Sequence, residues 1–352
     1  NMRNYLSYNI VSLMSGTSLD GLDLVKCNFK KNKTWSFSIS KSKTIKYSQF
    51  WEKKLNEAHL YNNDEIEKIS CQYGCFLANE IKEFSDLKNI DLIASHGHTI
   101  FHQPKKKITL QIGCGQTIAN QTNIKTVTNF RIGDVLLGGQ GAPLVPVGDL
   151  KLFRKYKYCL NLGGFANISI KKNNQIFAFD ICPVNIVLNY LSKRKNKKFD
   201  KNGYFGMKGK IIPEILIKLN NLNYYKLSAP KSLSREWLEI NVLPLLETKY
   251  NTEDLLHTFY EHAANIISKE LVDGNCLITG GGTHNKYLIK KIKDYSKSEI
   301  IIPKKNIIDF KEAIIFGFLG LLRIENQINC LKTVTGASRD SCSGEVFTAN
   351  FN

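Results

Sequence analysis

Three glycine-rich turns are where this sequence can do chemistry. The first reads Ser15-Gly16-Thr17-Ser18-Leu19-Asp20-Gly21. Glycines in a tight turn expose backbone N–H groups that form a nest for anionic oxygens. Thr17 and Ser18 add hydroxyl donors, and Asp20 is placed to hold a hydrated Mg2+ bridging phosphates. The second turn, Asn161-Leu162-Gly163-Gly164-Phe165-Ala166-Asn167, offers another nest. The third, Thr279-Gly280-Gly281-Gly282-Thr283, follows a predicted strand and precedes a predicted helix, so backbone can approach a ligand closely and a helix N-terminus points at it. One Gly-Thr-Ser turn is ordinary; three glycine-rich turns, two of them in matching positions, are far more specific. A Walker loop is excluded, because Gly203 to Gly209-Lys210 has one residue too many between its glycines and Ile211 stands where Ser or Thr is required. None of the turns reads G-x-G-x-x-G.

Rigid elements must hold these turns. Residues 8–13 and 22–29 read as strands on either side of the first turn, with a third strand near 35–40. Ile66, Ile69, Tyr73, Leu77, Ile81 and Phe84 recur at three- and four-residue intervals, which predicts a long amphipathic helix. Short strands follow at 91–95, 108–112 and 125–128, with a helix over 115–121. After Gly138-Gly139-Gln140-Gly141-Ala142-Pro143 the pattern starts again, with strands at 158–162, 166–170 and 175–179. Helices are expected near 184–192, 212–220, 253–271, 286–293 and 310–325, and strands at 276–279 and 299–301. Two α/β units, each opening on a meander with a glycine-rich turn, are implied. No 20–50-residue repeat is present, which excludes a solenoid.

Composition narrows the function. With 352 residues, 43% hydrophobic and 23% charged, the chain has the make-up of a soluble globular protein of two domains. Asn1, ahead of Met2, is read as an expression remnant. No apolar run reaches the length of a membrane span or a secretory core, so a soluble, unexported protein is expected. The formal charge of +18 suggests nucleic acid, yet only seven of the 49 basic residues are Arg, the residue suited to bidentate base and phosphate contacts. The lysines are scattered, and no nucleic-acid motif accompanies them. Nine cysteines at irregular spacing, with no C-x-x-C pair, give neither a disulfide framework nor a zinc ribbon. Cys71 and Cys75, one helical turn apart, are expected as core or partly buried thiols in a reducing compartment.

Longer stretches carry a resemblance. Met14-Ser15-Gly16-Thr17-Ser18-Leu19-Asp20-Gly21-Leu22-Asp23, Ser95-His96-Gly97-His98-Thr99-Ile100, and Asn129-Phe130-Arg131 with Asp134 and residues 138–146 are similar to the anhydro-N-acetylmuramic acid kinases. So are residues 161–167, Phe179-Asp180, Asp200 through Gly203, Ser234-Arg235-Glu236, residues 280–285, Lys311-Glu312-Ala313 and Thr335-Gly336-Ala337. They run in the family's order over almost the whole chain.

The resemblance implies an α/β fold of the two-lobed actin/hexokinase/Hsp70 (ribonuclease H-like) type with a central interdomain cleft. An N-terminal lobe is expected over 1–133 and a C-terminal lobe over 134–330, with a tail, 331–352, packing back on the first. The implied reaction opens the 1,6-anhydro bridge of 1,6-anhydro-N-acetylmuramic acid with water and phosphorylates O6 from ATP, a step of peptidoglycan recycling. Asp180 matches the family's base, although the residues alone allow it to cap the helix near 184. Gly16, Thr17, Ser18, Leu19, Asp20, Gly21 and Asp23 are expected to hold the triphosphate with Mg2+, at Asp20. Gly163 and Gly164 are expected to meet it, and Gly280, Gly281 and Gly282 to lie by the adenosine. His96, Thr99, Arg131, Asp134 and Glu312 are expected on the sugar side, Arg131 with paired donors for the lactyl carboxylate. The resemblance makes His96, His98 and His102 loop and core groups rather than metal ligands. It implies a cytoplasmic homodimer that takes an anhydro amino sugar and ATP, with no nucleic acid or membrane partner. Ile181, Cys182 and Val184 depart from the family's Thr-Gly-Pro-Gly-Asn, which puts the backbone beside Asp180 in question; His98 and Asn129 depart as well. A same-fold kinase of another amino sugar, or a non-catalytic nucleotide-binding sensor, are the alternatives.

Overall fold

The computed structural model describes residues 6–16, 19, 21–173 and 175–350. Two compact units emerge: residues 1–152 with 310–352, and residues 153–309.

Unit 1 opens on the meander β1 (Leu6–Ser15), β2 (Leu22–Lys31) and β3 (Trp35–Ile45). Helices α1 (Gln49–Glu57) and α2 (Asn63–Phe84) follow, then β4 (Leu92–Ser95). A hairpin of β5 (His98–Gln103) and β6 (Ile108–Ile112) leads to α3 (Gly115–Thr122) and β7 (Thr126–Thr128). The short helices α4 (Ile132–Leu136) and α5 (Pro146–Lys151) complete this part.

Unit 2 repeats the meander with β8 (Tyr158–Leu162), β9 (Phe165–Lys172) and β10 (Gln175–Pro183). Its helices are α6 (Asn185–Ser192), α7 (Pro213–Asn220), α8 (Arg235–Asn241), α9 (Leu243–Leu246) and α10 (Thr252–Glu270). β11 (Asn275–Thr279), α11 (Lys286–Tyr295) and β12 (Glu299–Ile301) follow. Helix α12 (Lys305–Ile324) belongs to unit 1 from residue 310 onward, as do α13 (Lys332–Thr335) and β13 (Glu345–Phe347).

Local chemistry explains the elements. β1 is buried throughout from Ile10 to Leu13, with Ser12 the one polar residue among apolar ones, as a central strand covered on both faces must be. α2 starts at a capping box in which Asn62 and Glu65 satisfy each other's backbone N–H, and its six periodic apolar residues are all buried. Cys71 lies off that face and is exposed, so the thiol is not a core group as its helical position suggested; Cys75 is half-buried.

Both sheets have one plan. In unit 1 the order is β13-β7-β4-β1-β2-β3, and in unit 2 it is β10-β9-β8-β11-β12. In each, an antiparallel meander is extended from its first strand by two parallel strands: β4 pairs parallel to β1 and to β7, and β11 parallel to β8 and to β12. That order, 3-2-1-4-5, is the ribonuclease H-like arrangement, and the fold is the expected α/β actin/hexokinase/Hsp70 type. β13 adds to unit 1 by pairing antiparallel with β7.

The unit bounds differ from the sequence-based ones at 133/134 and 330/331. Residues 134–152 and 310–330 lie with unit 1 because side chains tie them there. Lys311 Nζ sits 2.6 Å from Asp149 Oδ1. α12 approaches the sheet closely, since a Cβ on Gly317 would lie 3.0 Å from Ser12 Oγ and one on Gly320 2.8 Å from the Ala94 Cβ.

Candidate active site

In unit 1 the first glycine turn and His96, both expected at the site, lie at the C-terminal ends of β1 and β4. Leu13 pairs with Ser95, and His96 N–H donates to Leu13 O at 3.1 Å, which sets His96 beside the first glycine turn. Within that turn Leu19 N–H donates to Gly16 O (3.2 Å), and Leu19 and Gly21 take positive φ of 56° and 147°. A Cβ on Gly21 would lie 2.7 Å from Ile45 O, so only glycine fits there. Thr17, Ser18 and Asp20, expected at the phosphates and metal, lie outside the described residues. Asp23 faces β3, where the Thr44 hydroxyl donates to its Oδ1 at 2.5 Å.

A buried hydrogen-bonded chain braces the turn from behind. Tyr73 and Tyr47 share a 2.7 Å bond, Tyr47 donates to Ser15 Oγ at 2.7 Å, and Ser15 Oγ meets His98 Nδ1 at 3.0 Å. Burial lowers His98 to about 4, so the ring is neutral at physiological pH. His98 and Thr99 also line a cavity of about 190 Å3 with Leu19, Leu55, Asn56, His59 and Ile100.

Arg131 and Asp134 do not pair as a simple structural ion pair; they grip Gly141 from two sides. Arg131 Nη1 donates to Gly141 O (2.8 Å), and Gly141 N–H donates to Asp134 Oδ2 (2.8 Å). The Thr335 hydroxyl donates to Asp134 Oδ1 at 2.7 Å, and the carboxylate is fully buried. Arg131 Nε donates to His96 Nε2 at 3.0 Å, which fixes the tautomer: the ring proton sits on Nδ1 and donates to Gly97 O at 2.9 Å. Burial, and then the Arg131 charge, hold His96 well below its ordinary pKa. With both ring nitrogens engaged, His96 has no lone pair for a metal. Among the described residues no group of three His, Cys, Asp or Glu could hold one. His102 is lowered by burial and by Arg131.

Glu312 is solvent-accessible on α12, yet the protein crowded around it raises its carboxyl, with Arg131 opposing the shift and Asp23 adding to it. An arginine and a carboxylate that reaches water are thus brought into one electrostatic neighbourhood.

Unit 2 brings together the other three expected groups. The β8–β9 turn is held by α6: Gly164 O accepts from Val184 N–H (2.8 Å) and Ile186 N–H (3.2 Å), and Gly163 O from Asn185 N–H (3.2 Å). The third turn lies against it. Gly280 takes φ +87°, and a Cβ there would sit 2.5 Å from Asn161 Oδ1; one on Gly282 would lie 2.8 Å from Leu162 Cβ. Beside Gly281 a Cβ would meet nothing within 4 Å. The flanking Thr279 and Thr283 hydroxyls are buried without a hydrogen-bond partner, an unusual state for polar groups.

Asp180 lies on the edge strand β10 rather than after it. The register shifts between Asp180 and Cys182, so Ile181 is the extra residue of a β-bulge. The 224–233 segment lies along this edge: Asp180 N–H donates to Lys231 O (3.3 Å), Leu233 N–H to Asp180 Oδ2 (2.9 Å) and the Tyr224 hydroxyl to Asp180 O (2.5 Å). Burial raises the carboxyl, and the Leu233 bond opposes this. The start of α6 has no side-chain cap, so Asp180 is not a helix cap. Ile181, Cys182 and Val184 are buried in the core and none takes a positive φ, but Val184, at one of the two glycine positions, adopts φ −134° and ψ −93°, outside the helical and extended regions. Tyr224, Lys231 and Leu233 escaped the sequence reading because they are over 40 residues from Asp180 and carry no motif.

The family model described as anhydro-N-acetylmuramic acid kinase matches residues 8–349. The chain is 33% identical to the anhydro-N-acetylmuramic acid kinase of Clostridioides difficile (strain 630), over 96% of this chain and 97% of that one. It is equally 33% identical to that of Francisella tularensis subsp. novicida (strain U112), with the same coverage of 96% and 97%. Among solved structures, (R)-2-hydroxyglutaryl-CoA dehydratase component A of Acidaminococcus fermentans aligns with a TM-score of 0.43 at 10% identity, covering 89% of this chain and 97% of that one. A likeness that loose says nothing about activity.

Proposed function

The chain belongs to the anhydro-N-acetylmuramic acid kinase family, and from that premise we propose how its residues share the reaction. It is a sugar kinase, acting on 1,6-anhydro-N-acetylmuramic acid. Water attacks the anomeric carbon and gives its proton to Asp180. The C1–O6 bond breaks, and O6 takes the γ-phosphoryl group of ATP as ADP leaves. The product is N-acetylmuramic acid 6-phosphate.

The observation that carries the assignment of the base is the environment of Asp180. One carboxylate oxygen is fixed by Leu233 N–H, the backbone is pinned on both sides, and burial lifts the carboxyl from its ordinary value. A base is stronger the nearer its pKa comes to the working pH, so this shift favours proton abstraction. On the sugar side, Arg131 has donors beyond those given to His96 and Gly141, and its fork suits the lactyl carboxylate. Asp134 acts through the loop that it holds, while His96 orients Arg131. Thr99 and Glu312 complete the sugar contacts.

ATP is the phosphoryl donor. Gly16, Thr17, Ser18, Leu19, Asp20, Gly21, Asp23, Gly163 and Gly164 supply its phosphate contacts. Gly280, Gly281 and Gly282 lie at the adenosine, where the open face of Gly281 and the orphaned Thr279 and Thr283 hydroxyls suit a polar ligand. Mg2+, held through Asp20 and the phosphates, would neutralise charge developing on the transferred group. Phosphoryl transfer otherwise needs positioning more than covalent help. A cytoplasmic homodimer working in peptidoglycan recycling is the setting for this activity. Among the described residues no helix is long and apolar enough to cross a membrane.

The mass of the product tests this. Incubation with 1,6-anhydro-N-acetylmuramic acid and MgATP is expected to yield a sugar heavier by one water and one HPO3. A gain of HPO3 alone, or phosphorylation only of amino sugars that lack the anhydro bridge, would contradict the coupled reaction.

A further inference from the structure

None of the nine cysteines takes part in the proposed reaction, but two of them meet. Cys71 is exposed on α2, and the half-buried Cys114 is the N-cap residue of α3. The two helices are locked at this point. Cys114 N–H donates to Ser70 O (3.1 Å), Gly113 N–H donates to Ser70 Oγ (3.1 Å), and a Cβ on Gly74 would lie 3.0 Å from Cys114 O. This docking sets Cys71, the residue after Ser70, beside Cys114, close enough for each thiol to influence the other's ionisation. We infer that Cys71 and Cys114 form a reactive dithiol, a modification site at which hydrogen peroxide converts the pair into an intramolecular disulfide joining α2 to α3.

The surroundings assign the order of events. Burial works against ionisation of Cys114, but the Thr117 hydroxyl and N–H, the Cys71 thiol and the Gln116 N–H outweigh it and hold the thiol below its ordinary value. A thiolate at a helix start is the nucleophilic form. It attacks one peroxide oxygen, the O–O bond breaks, and the other oxygen leaves as hydroxide, so that Cys114 becomes a sulfenic acid. Cys71 is held above its ordinary value by partial burial and by the Cys114 charge. Sulfenic acid formation removes that charge and so eases ionisation of Cys71. Its thiolate attacks the Cys114 sulfur, the S–OH bond breaks, and the oxygen leaves as water. Two thiols lose two electrons and two protons, and the peroxide is reduced to two waters.

The other cysteines serve as internal controls. Cys75, one turn beyond Cys71, turns to Gln121, whose Nε2 lies 3.0 Å from its Sγ. Cys27, Cys159, Cys182, Cys276 and Cys330 are buried.

The test is stoichiometric hydrogen peroxide on the full-length protein at neutral pH, with alkylation of the remaining thiols and peptide mapping by mass spectrometry. Expected are a loss of two hydrogens and one cross-linked peptide joining Cys71 to Cys114, formed before oxidation at Cys75 or Cys342 is detected. Cys114→Ser removes the fast phase, and Cys71→Ser leaves a dimedone-reactive sulfenic acid at Cys114. Absence of the cross-linked peptide, or oxidation of the Cys114→Ser protein at the native rate, overturns the inference. So does an alkylation profile for Cys114 in the unmodified protein with its midpoint at or above the ordinary thiol value of about 8.5. That last measurement depends on no variant folding.

Discussion

Replacing Lys311 with methionine removes the cation from a carboxylate that has almost no access to water. Asp149 on α5 is 2% exposed and Lys311 on α12 is 6% exposed, with Nζ 2.6 Å from Asp149 Oδ1. That oxygen makes no aligned hydrogen bond, so the ion pair is what offsets its burial. Breaking a buried pair from one side costs about 3–5 kcal/mol, whereas replacing both partners by apolar groups is near neutral. At about 1.4 kcal/mol per tenfold, Lys311→Met is expected to speed amide exchange in the α5 and α12 peptides by roughly a hundredfold or more. Peptides from β8 and β11, in unit 2, serve as the internal reference. The double variant Asp149→Leu/Lys311→Met is expected to exchange at close to the native rate. If the single variant exchanges within about threefold of native, a cost under about 1 kcal/mol, the pair does not hold α12 to unit 1 and the reasoning fails.

Three further outcomes follow from the site. Arg131→Lys keeps the charge but cannot bond His96 Nε2 and Gly141 O in one plane; losing a charge-assisted bond of about 1.5–3 kcal/mol should lower kcat/KM about ten- to a hundredfold, read from steady-state kinetics. Gly139→Ala places a Cβ 2.1 Å from Asp134 Oδ2 and 2.9 Å from the Ala337 Cβ, and overpacking of about 1–3 kcal/mol should lower Tm by several degrees in a thermal melt. The raised carboxyl of Asp180 sets two signs. The fold favours its protonated form, a contribution complete below the ordinary aspartate value of about 3.9 and lost as pH rises through the folded value. Asp180→Asn should therefore be no less stable than native at neutral pH, while the acid limb of the native pH–rate profile should fall above pH about 3.9.

Local patterns were legible in the sequence. The six apolar residues of α2 recur with the helical period and all are buried, and the two meanders with their glycine turns stand where alternation and turn residues placed them. Contacts set by distant residues were not legible. The β13–β7 pairing joins residues over 200 positions apart, and no local signal marks it. The placement of residues 134–152 with unit 1 depends on Lys311 and on two glycines of α12 that admit the sheet. At the site, the resemblance supplied Asp180, but its bulge and its backbone partners at 231 and 233 come from a segment with no motif. Likewise Cys71 sits one position from Ser70, which docks Cys114, so a helical wheel alone could not tell a core thiol from an exposed one.

The most direct test of the account is coupled ADP release with 1,6-anhydro-N-acetylmuramic acid, comparing the native chain with Asp180→Asn. Sustained turnover by the native protein and its collapse in the variant, with ATP binding and thermal stability retained, is the predicted result. Turnover that survives in the variant would contradict the role of Asp180, and no turnover by a folded native protein that binds ATP would contradict the proposed activity itself.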